Sequence, residues 1–278
     1  MILPDLSYMV TVGQLRYIQS LYETPEFRNP DMAVRDFLPA LQRWGCDLRG
    51  RTQIGRLRAQ PFYYYVLART KYYDSVFVDS ICDKVDHILN IGCGSDTRAY
   101  RFGHVLRQKG IRVLECDQPE AIHAKEQIAR RWWPVDHVDY QSIDLNDDSW
   151  PDFERWLEQN QGKNMLALME GVSPYVNHDS FGRFLDLLAA RLGPGSRVAY
   201  DFKLRGVAED FGRSDRTQHP FRLPEDLDEV TAYHAAHGYR VEHLELSSDL
   251  SMRLLPSLLA HAGVSLFRED ALVRLRLP

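Results

Sequence analysis

The sequence predicts an α/β fold, a mostly parallel sheet with helices on both faces, organised around one βαβ unit. Three observations predict it. Strand-like apolar runs alternate with helix-like segments along the chain, which implies crossover connections between parallel strands. The run Ile88-Leu89-Asn90-Ile91 breaks at Gly92-Cys93-Gly94 and passes into helix-compatible sequence. A second apolar run, Ile111 to Cys116, ends in Asp117.

Each part of that unit has a chemical reason. An apolar run without alternation is what a parallel strand covered on both faces requires. Two glycines one residue apart let the backbone turn sharply and approach a ligand where a side chain would collide. The unpaired N–H groups of the following helix point at that ligand. An acid closing the second strand is placed to accept hydrogen bonds from both hydroxyls of a ribose. The dinucleotide form of the motif needs a third glycine at position 97, which is threonine here. A Gly-x-Gly by itself also serves as a plain structural turn, and the acid is what favours the cofactor reading.

Three segments carry a family resemblance. Gly-Cys-Gly-Ser-Asp-Thr-Arg-Ala-Tyr-Arg at 92–101 resembles the glycine loop of the leucine carboxyl methyltransferase family, Glu115-Cys116-Asp117-Gln118-Pro119-Glu120 its segment after strand two, and Glu170-Gly171-Val172-Ser173-Pro174-Tyr175 its segment after strand four. The resemblance runs from about residue 13 onward. It implies a Rossmann-like class I methyltransferase with a seven-stranded sheet whose last strand is antiparallel, under an N-terminal helical cap. It also implies S-adenosylmethionine as cofactor, with Gly92, Cys93, Gly94, Arg98, Asp117 and Gln118 among the residues that meet it. The family includes protein-phosphatase methyltransferases and bacterial small-molecule O-methyltransferases, some acting on polyketides. On this basis residues 1–80 are expected as a covering segment and 81–278 as the cofactor-binding core.

With 278 residues the chain suits one large α/β domain with a small addition. A net charge of −5 gives no reason to expect nucleic acid or an anionic membrane as partner. No apolar run approaches the roughly 18 residues of a membrane span, and the N-terminal stretch lacks a basic-then-apolar signal layout. A cytoplasmic protein with a small-molecule acceptor is the expectation. Cys46, Cys82, Cys93 and Cys116 show neither Cys-x-x-Cys spacing nor histidine pairing, so no zinc site or disulfide frame is expected. Cys93 and Cys116 read as small buried thiols near the cofactor.

In chain order, residues 1–30 read as a polar, aromatic-dotted lead into a helix with Val12, Leu15, Ile18 and Leu21 on its apolar stripe, Arg16 and Tyr17 off it, and Pro25 as its end. The segment through Phe27-Arg28-Asn29-Pro30 resembles the family's N-terminal segment, whose basic residue meets the methionine carboxylate. Arg16 takes that part here, with a solvated helix face as the alternative, and Asn29 replaces the family's usual Asp. Residues 31–60 hold three glycines and six arginines, and are expected as a short helix and then a mobile connection, the arginines on a solvated face. From Pro61 to Ser80 an aromatic-rich helix places Tyr65, Arg69 and Tyr72 on one face. Its Ala68-Arg69-Thr70 and Asp74 resemble a family motif whose arginine also holds the cofactor carboxylate, a task suited to a bidentate guanidinium.

Beyond strand two, a helix is expected over Ala121–Arg131 and a third strand over His137–Leu145. The resemblance implies that Asp144 accepts the adenine amino group and that Leu145 supplies a backbone N–H; an Asp capping the next turn is the alternative. Asn164–Met169 reads as a buried strand delivering Glu170, whose carboxylate can hold the methionine ammonium. Tyr175 is the candidate for positioning the reacting groups, with cation–π contact to the sulfonium open to it. A helix His178–Leu192 and a strand Arg197–Phe202 follow. Residues 203–223 have no clean period and are expected to cover the acceptor pocket. A helix Pro224–His237, a strand Tyr239–Leu246, a helix Leu250–Ala260 and a final edge strand Ala271–Leu277 complete the chain.

Asp117, Asp144, Glu170 and the glycine loop all fall at strand carboxyl ends, where open α/β sheets bind ligands. Methyl transfer by in-line displacement needs mainly an aligned acceptor. A carboxylate acceptor needs no base, whereas a phenol would profit from one; His219, His123 and Tyr175 are candidates, and none is assigned. Tyr63-Tyr64-Tyr65, Tyr72 and Tyr73, with Phe211, His219 and Phe221, are the aromatic groups available to enclose an apolar acceptor. A protein C-terminus as acceptor, a cofactor-binding homologue without chemistry and a nucleotide-dependent oxidoreductase are the rival readings.

Overall fold

The computed structural model describes residues 11–260 and 264–278; the first ten residues of the expected polar lead lie outside them. The helices are α1 Val12–Tyr22, α2 Val34–Phe37, α3 Ala40–Arg58, α4 Pro61–Cys82, α5 Arg98–Arg101, α6 Gly103–Lys109, α7 Pro119–Trp132, α8 Pro151–Gln159, α9 His178–Arg191, α10 Leu227–Ala236 and α11 Ser247–Leu254. The strands are β1 His87–Ile91, β2 Arg112–Asp117, β3 Val138–Ser142, β4 Met165–Met169, β5 Arg197–Leu204, β6 Arg222–Leu223, β7 Arg240–Leu246 and β8 Asp270–Arg276. The chain divides into two compact units. Where the sequence suggests one covering segment, 1–80, the first unit draws on three stretches: the described residues up to Ser75, Ser95–Arg101 and the described part of Ser247–Arg268.

The second unit carries the sheet, in the order β3-β2-β1-β4-β5-β8-β7. Strands β1 to β5 pair in parallel, and β8 is antiparallel to both of its neighbours. All five residues of β4, Met-Leu-Ala-Leu-Met, are buried, as an apolar run covered on both faces requires. The chain moves outward from β1 through β2 to β3, then returns to build β4 and β5 on the other side. Right-handed crossovers in two opposite directions put their helices on opposite faces. Helix α7 packs on β2 and β3, and α9 buries Phe181, Phe184, Leu185 and Leu188 in the sheet's core. The reversal between β1 and β4 opens a crevice at their carboxyl ends.

Four details of this unit differ from the expectation. The seven-strand path gains an eighth, two-residue strand: β6 pairs with Lys203–Leu204, past Tyr200, where the β4 pairing of β5 stops. Two residues leave no period to read. Strand β3 ends at Ser142, before Asp144, whose side chain accepts from the Asn146 N–H at 2.9 Å and closes a turn. Helix α8, which the sequence reading passes over, starts with Pro151 and buries Phe153 and Leu157, four apart. Finally, β8 is no edge strand but lies between β5 and β7. Arg274 and Arg276 look like the charges that guard an edge, yet both form ion pairs with Glu242 on β7, at 3.4 and 3.2 Å.

Behind β5 the Tyr200 hydroxyl meets His234 Nε2 at 2.6 Å, and His234 Nδ1 lies 2.6 Å from the Val230 carbonyl. A carbonyl only accepts, so Nδ1 carries the proton and Nε2 accepts from tyrosine. Both side chains are fully buried.

The first unit is helical. Thr11 and Gln14 form a capping box that starts α1. Arg16 and Tyr17, expected off the buried stripe, are 5% and 2% exposed, whereas Val12 and Leu21 are half-buried. A period of three understates how much of α1 is covered: α2 and α3 both pack on it. The expected mobile connection is α3, 19 residues long. Its glycines argue against a helix at about 1 kcal/mol each relative to alanine, but Gly50 serves the packing. A Cβ there would lie 2.6 Å from Tyr22 Cε2 and 3.3 Å from Ile18 Cγ1. Asn29, at the family's Asp position, accepts from the Asp31 N–H at 3.0 Å and is buried.

Candidate functional site

A cavity of about 750 Å³ opens within the second unit at the carboxyl ends of β1 to β4. Ile91, Ile143, Leu145, Val172 and Val176 give it apolar walls, Asp117, Gln118, Asp144 and Asn146 a polar side, and Gly212–Thr217 closes one flank. Its size suits a small organic ligand, with a few polar groups set among apolar ones.

The glycine loop supplies the approach. Gly92 has φ +64°, and a Cβ there would lie 2.3 Å from Val172 Cγ2. Gly92→Ala is therefore expected to cost about 2 kcal/mol of stability from strain and overlap and to shift Val172 into the cavity. Chemical denaturation together with S-adenosylhomocysteine titration checks this, and a variant equal to wild type in both would show that Val172 gives way freely. Behind the loop, Lys125 Nζ donates to the Cys93 carbonyl at 3.2 Å and to Glu115 at 2.8 Å, all buried. Burial pushes the Cys93 thiol well up, against the pull of Lys125. Cys93 is thus an inert thiol under the loop, and it does not appear on the cavity wall.

Asp117 is held at both oxygens. Gly94 N–H donates to Oδ2 at 2.7 Å and Gln118 N–H to Oδ1 at 2.8 Å. A carboxylate has about four acceptor positions, so one remains on each oxygen, the pattern that a vicinal diol fills. Asp144 is 8% exposed. It accepts from Arg216 Nη1 at 2.5 Å and Gln118 Nε2 at 3.1 Å on Oδ2, and from Asn146 N–H at 2.9 Å on Oδ1. The cavity thus presents two free acceptor positions on Asp117 and one on Asp144, the two carboxylates both bonded to Gln118, among aliphatic walls.

Of the residues singled out from the sequence, Gly92, Asp117, Gln118, Asp144, Leu145 and Tyr175 share this cavity, and Gly94 joins through its bond to Asp117. Glu170 follows β4 next to the lining residue Gly171, whose N–H donates to Asp201 at 2.7 Å. Arg16, Arg69 and Arg98 belong to the first unit. There Arg16 lies 3.8 Å from Asp31, and Arg69 sits over the Tyr65 ring at 5.4 Å. Arg98 donates to Asp74 at 2.8 Å and Asp96 at 2.6 Å. The cap tyrosines are core of that unit: Tyr63 donates to Glu23 at 2.8 Å, and Tyr65 stacks on Phe267 at 4.8 Å. Phe221 is also core, packed on Phe181. The stretch 203–223, expected over an acceptor pocket, contributes Gly212–Thr217 to this cavity. No motif or period in the sequence points to Arg216 or Asn146, which the fold brings to the same cavity.

This strand order, with a glycine loop after β1 and an acid ending β2, is the fold of the Rossmann-like class I methyltransferases, which use S-adenosylmethionine. The profile of the leucine carboxyl methyltransferase family matches residues 29–189, more than half of the chain, and the chain belongs to that family. A Streptomyces coelicolor protein named as an S-adenosyl-L-methionine-dependent methyltransferase is 26% identical over 239 residues, 83% of this chain and 81% of its own length. One of the same name from Mycobacterium bovis is 27% identical over 214 residues, 72% of this chain and 67% of its own. Among solved structures, magnesium protoporphyrin IX methyltransferase from Synechocystis PCC 6803, with bound SAH, aligns at TM-score 0.50 over 86% of this chain and 99% of its own. At 11% identity that likeness is one of fold. The chain is an S-adenosylmethionine-dependent methyltransferase.

Proposed function

We propose that this methyltransferase acts on an oxygen of a small, secondary-metabolite-type acceptor, a carboxylate or a hydroxyl, in the cytoplasm. In this reading Asp117 takes the ribose hydroxyls, Asp144 the adenine amino group and Leu145 N–H a ring nitrogen. Gly92 and Gly94 allow the close approach, and Glu170 holds the methionine ammonium. The cofactor supplies an already activated methyl on a sulfonium, so what the protein must add is alignment of the acceptor and exclusion of water.

The observation that supports a small apolar acceptor is an exposed aromatic pair. Tyr175 lines the cavity at 53% exposure, and Phe211, 42% exposed, lies 5.6 Å from its ring. Large aromatic side chains left open beside a cavity favour an apolar or planar ligand. Of the three candidate bases, His219 and His123 are exposed and off the cavity wall, and Tyr175 alone lines it. This favours a carboxylate, which attacks without losing a proton.

The test incubates the enzyme with methyl-labelled S-adenosylmethionine and two extracts of its source, one of proteins and one of small molecules. Label is expected in a metabolite as a base-labile ester. A base-stable product would move the reading to a hydroxyl or an amine, and label found in protein alone would replace it with a protein carboxyl methyltransferase.

A further inference from the structure

Arg216 stands in the long connection after β5, and its guanidinium spans two carboxylates of the turn between β3 and α8. Nη1 donates to Asp144 at 2.5 Å and Nη2 to Asp147 at 2.7 Å. The connection is fastened on the same side by its neighbours. Thr217 Oγ1 donates to the Tyr175 carbonyl at 2.8 Å, and Asn177 Nδ2 donates to the Arg216 carbonyl at 2.8 Å. Asn146 Nδ2 reaches both the Tyr175 carbonyl, at 2.9 Å, and Thr217 Oγ1, at 3.2 Å. These bonds make Gly212–Thr217 a built wall of the cavity.

The consequence falls on Asp144. Of its roughly four acceptor positions, Arg216 and Gln118 occupy two on Oδ2, and the Asn146 N–H takes one on Oδ1. One position remains, on Oδ1. A carboxylate pinned by three donors does not turn to suit a different ligand; it offers one acceptor at one place. An exposed ion pair is worth little by itself. Here, however, the Asp144 side chain is only 7% exposed, although that of Arg216 is 60% exposed. We propose that Arg216 is a positioning residue: acting through Asp144, it makes this end of the cavity selective for a 6-aminopurine, and it holds the wall closed beside that base. The proposal rests on the cavity being the cofactor site.

The experiment titrates S-adenosylhomocysteine and its 6-deamino analogue, in which hydrogen replaces the purine amino group, into wild type, Arg216→Ala, Arg216→Lys and Asp147→Asn by calorimetry. Wild type is expected to prefer the amino compound by about ten-fold, the worth of a hydrogen bond to a charged acceptor. Arg216→Ala is expected to bind S-adenosylhomocysteine about five- to ten-fold more weakly, discounted for the exposure of the arginine, and the analogue nearly as before, so that the preference collapses. Arg216→Lys recovers part of it, because an ammonium lacks the fork that meets both carboxylates. Asp147→Asn loosens Arg216 without touching Asp144 and shifts the ratio in the same direction by less. An unchanged preference in Arg216→Ala, or an equal loss for both ligands, overturns the proposal. Failure of wild type to bind either ligand removes the cofactor reading of the cavity itself, a result distinct from a failure of Arg216 alone.

Discussion

Asp117→Ala is expected to weaken S-adenosylhomocysteine binding by about a hundred-fold, the largest loss of any single cavity substitution. Two ribose hydroxyls lose an ionised acceptor, each bond worth about 1.5–3 kcal/mol, with less than full additivity because one group makes both. The Gly94 N–H, which now donates to Asp117 Oδ2, also loses its partner and with it the anchor of the glycine loop. Asp117→Asn is expected to fall between the two: its amide NH₂ must face one of the two backbone N–H donors, Gly94 or Gln118, that the carboxylate satisfies. Calorimetry measures the affinities, and thermal unfolding confirms that the variants are folded. Wild-type affinity in a folded Asp117→Ala protein would place the ribose elsewhere.

The second large effect concerns stability. Burial pushes His234 down to about 4 from 6.5, against the pull of the Val230 carbonyl on its Nδ1 proton. The folded protein therefore keeps this histidine neutral, accepting from Tyr200. Above pH 6.5 neither state binds the extra proton, and the contribution is fully present. As pH falls from 6.5 to 4 the unfolded chain takes up a proton that the folded chain refuses, and stability declines by up to about 3 kcal/mol. Below pH 4 this group adds no further slope. Urea unfolding between pH 4 and 7 is expected to show a steeper decline for wild type than for His234→Gln. Parallel curves for the two proteins would remove His234 as the source.

Much of this fold is legible in the sequence because its central strands are buried on both faces. Nothing but an apolar run fits at Met165–Met169, and nothing but glycine fits beside Val172 at position 92. Asp117 could be named in advance because it closes such a run, and Asp144 because the family resemblance marks it. The errors arise where a residue's partner is distant in the chain. Arg274 looks like a surface charge until its ion pair with Glu242 of β7 is seen, and Gly50 looks like a break until Tyr22 is seen against it. Arg216 meets Asp144 across 72 positions of sequence, and no local pattern announces such a pairing.

The place of β8 has a consequence for how the newborn chain assembles. In the sheet β7 has one neighbour, β8, and β8 is also what separates β7 from β5. During synthesis residues 240–246 emerge before the strand they pair with exists, and the far side of β5 waits as well. Joining them is a late, long-range step in which one strand enters a gap and closes both sides of it, the kind of pairing that folds slowly. A nascent chain paused before Asp270 exposes unpaired edges on β5 and β7 together, and in that interval self-association and chaperone capture compete directly with completion of the sheet.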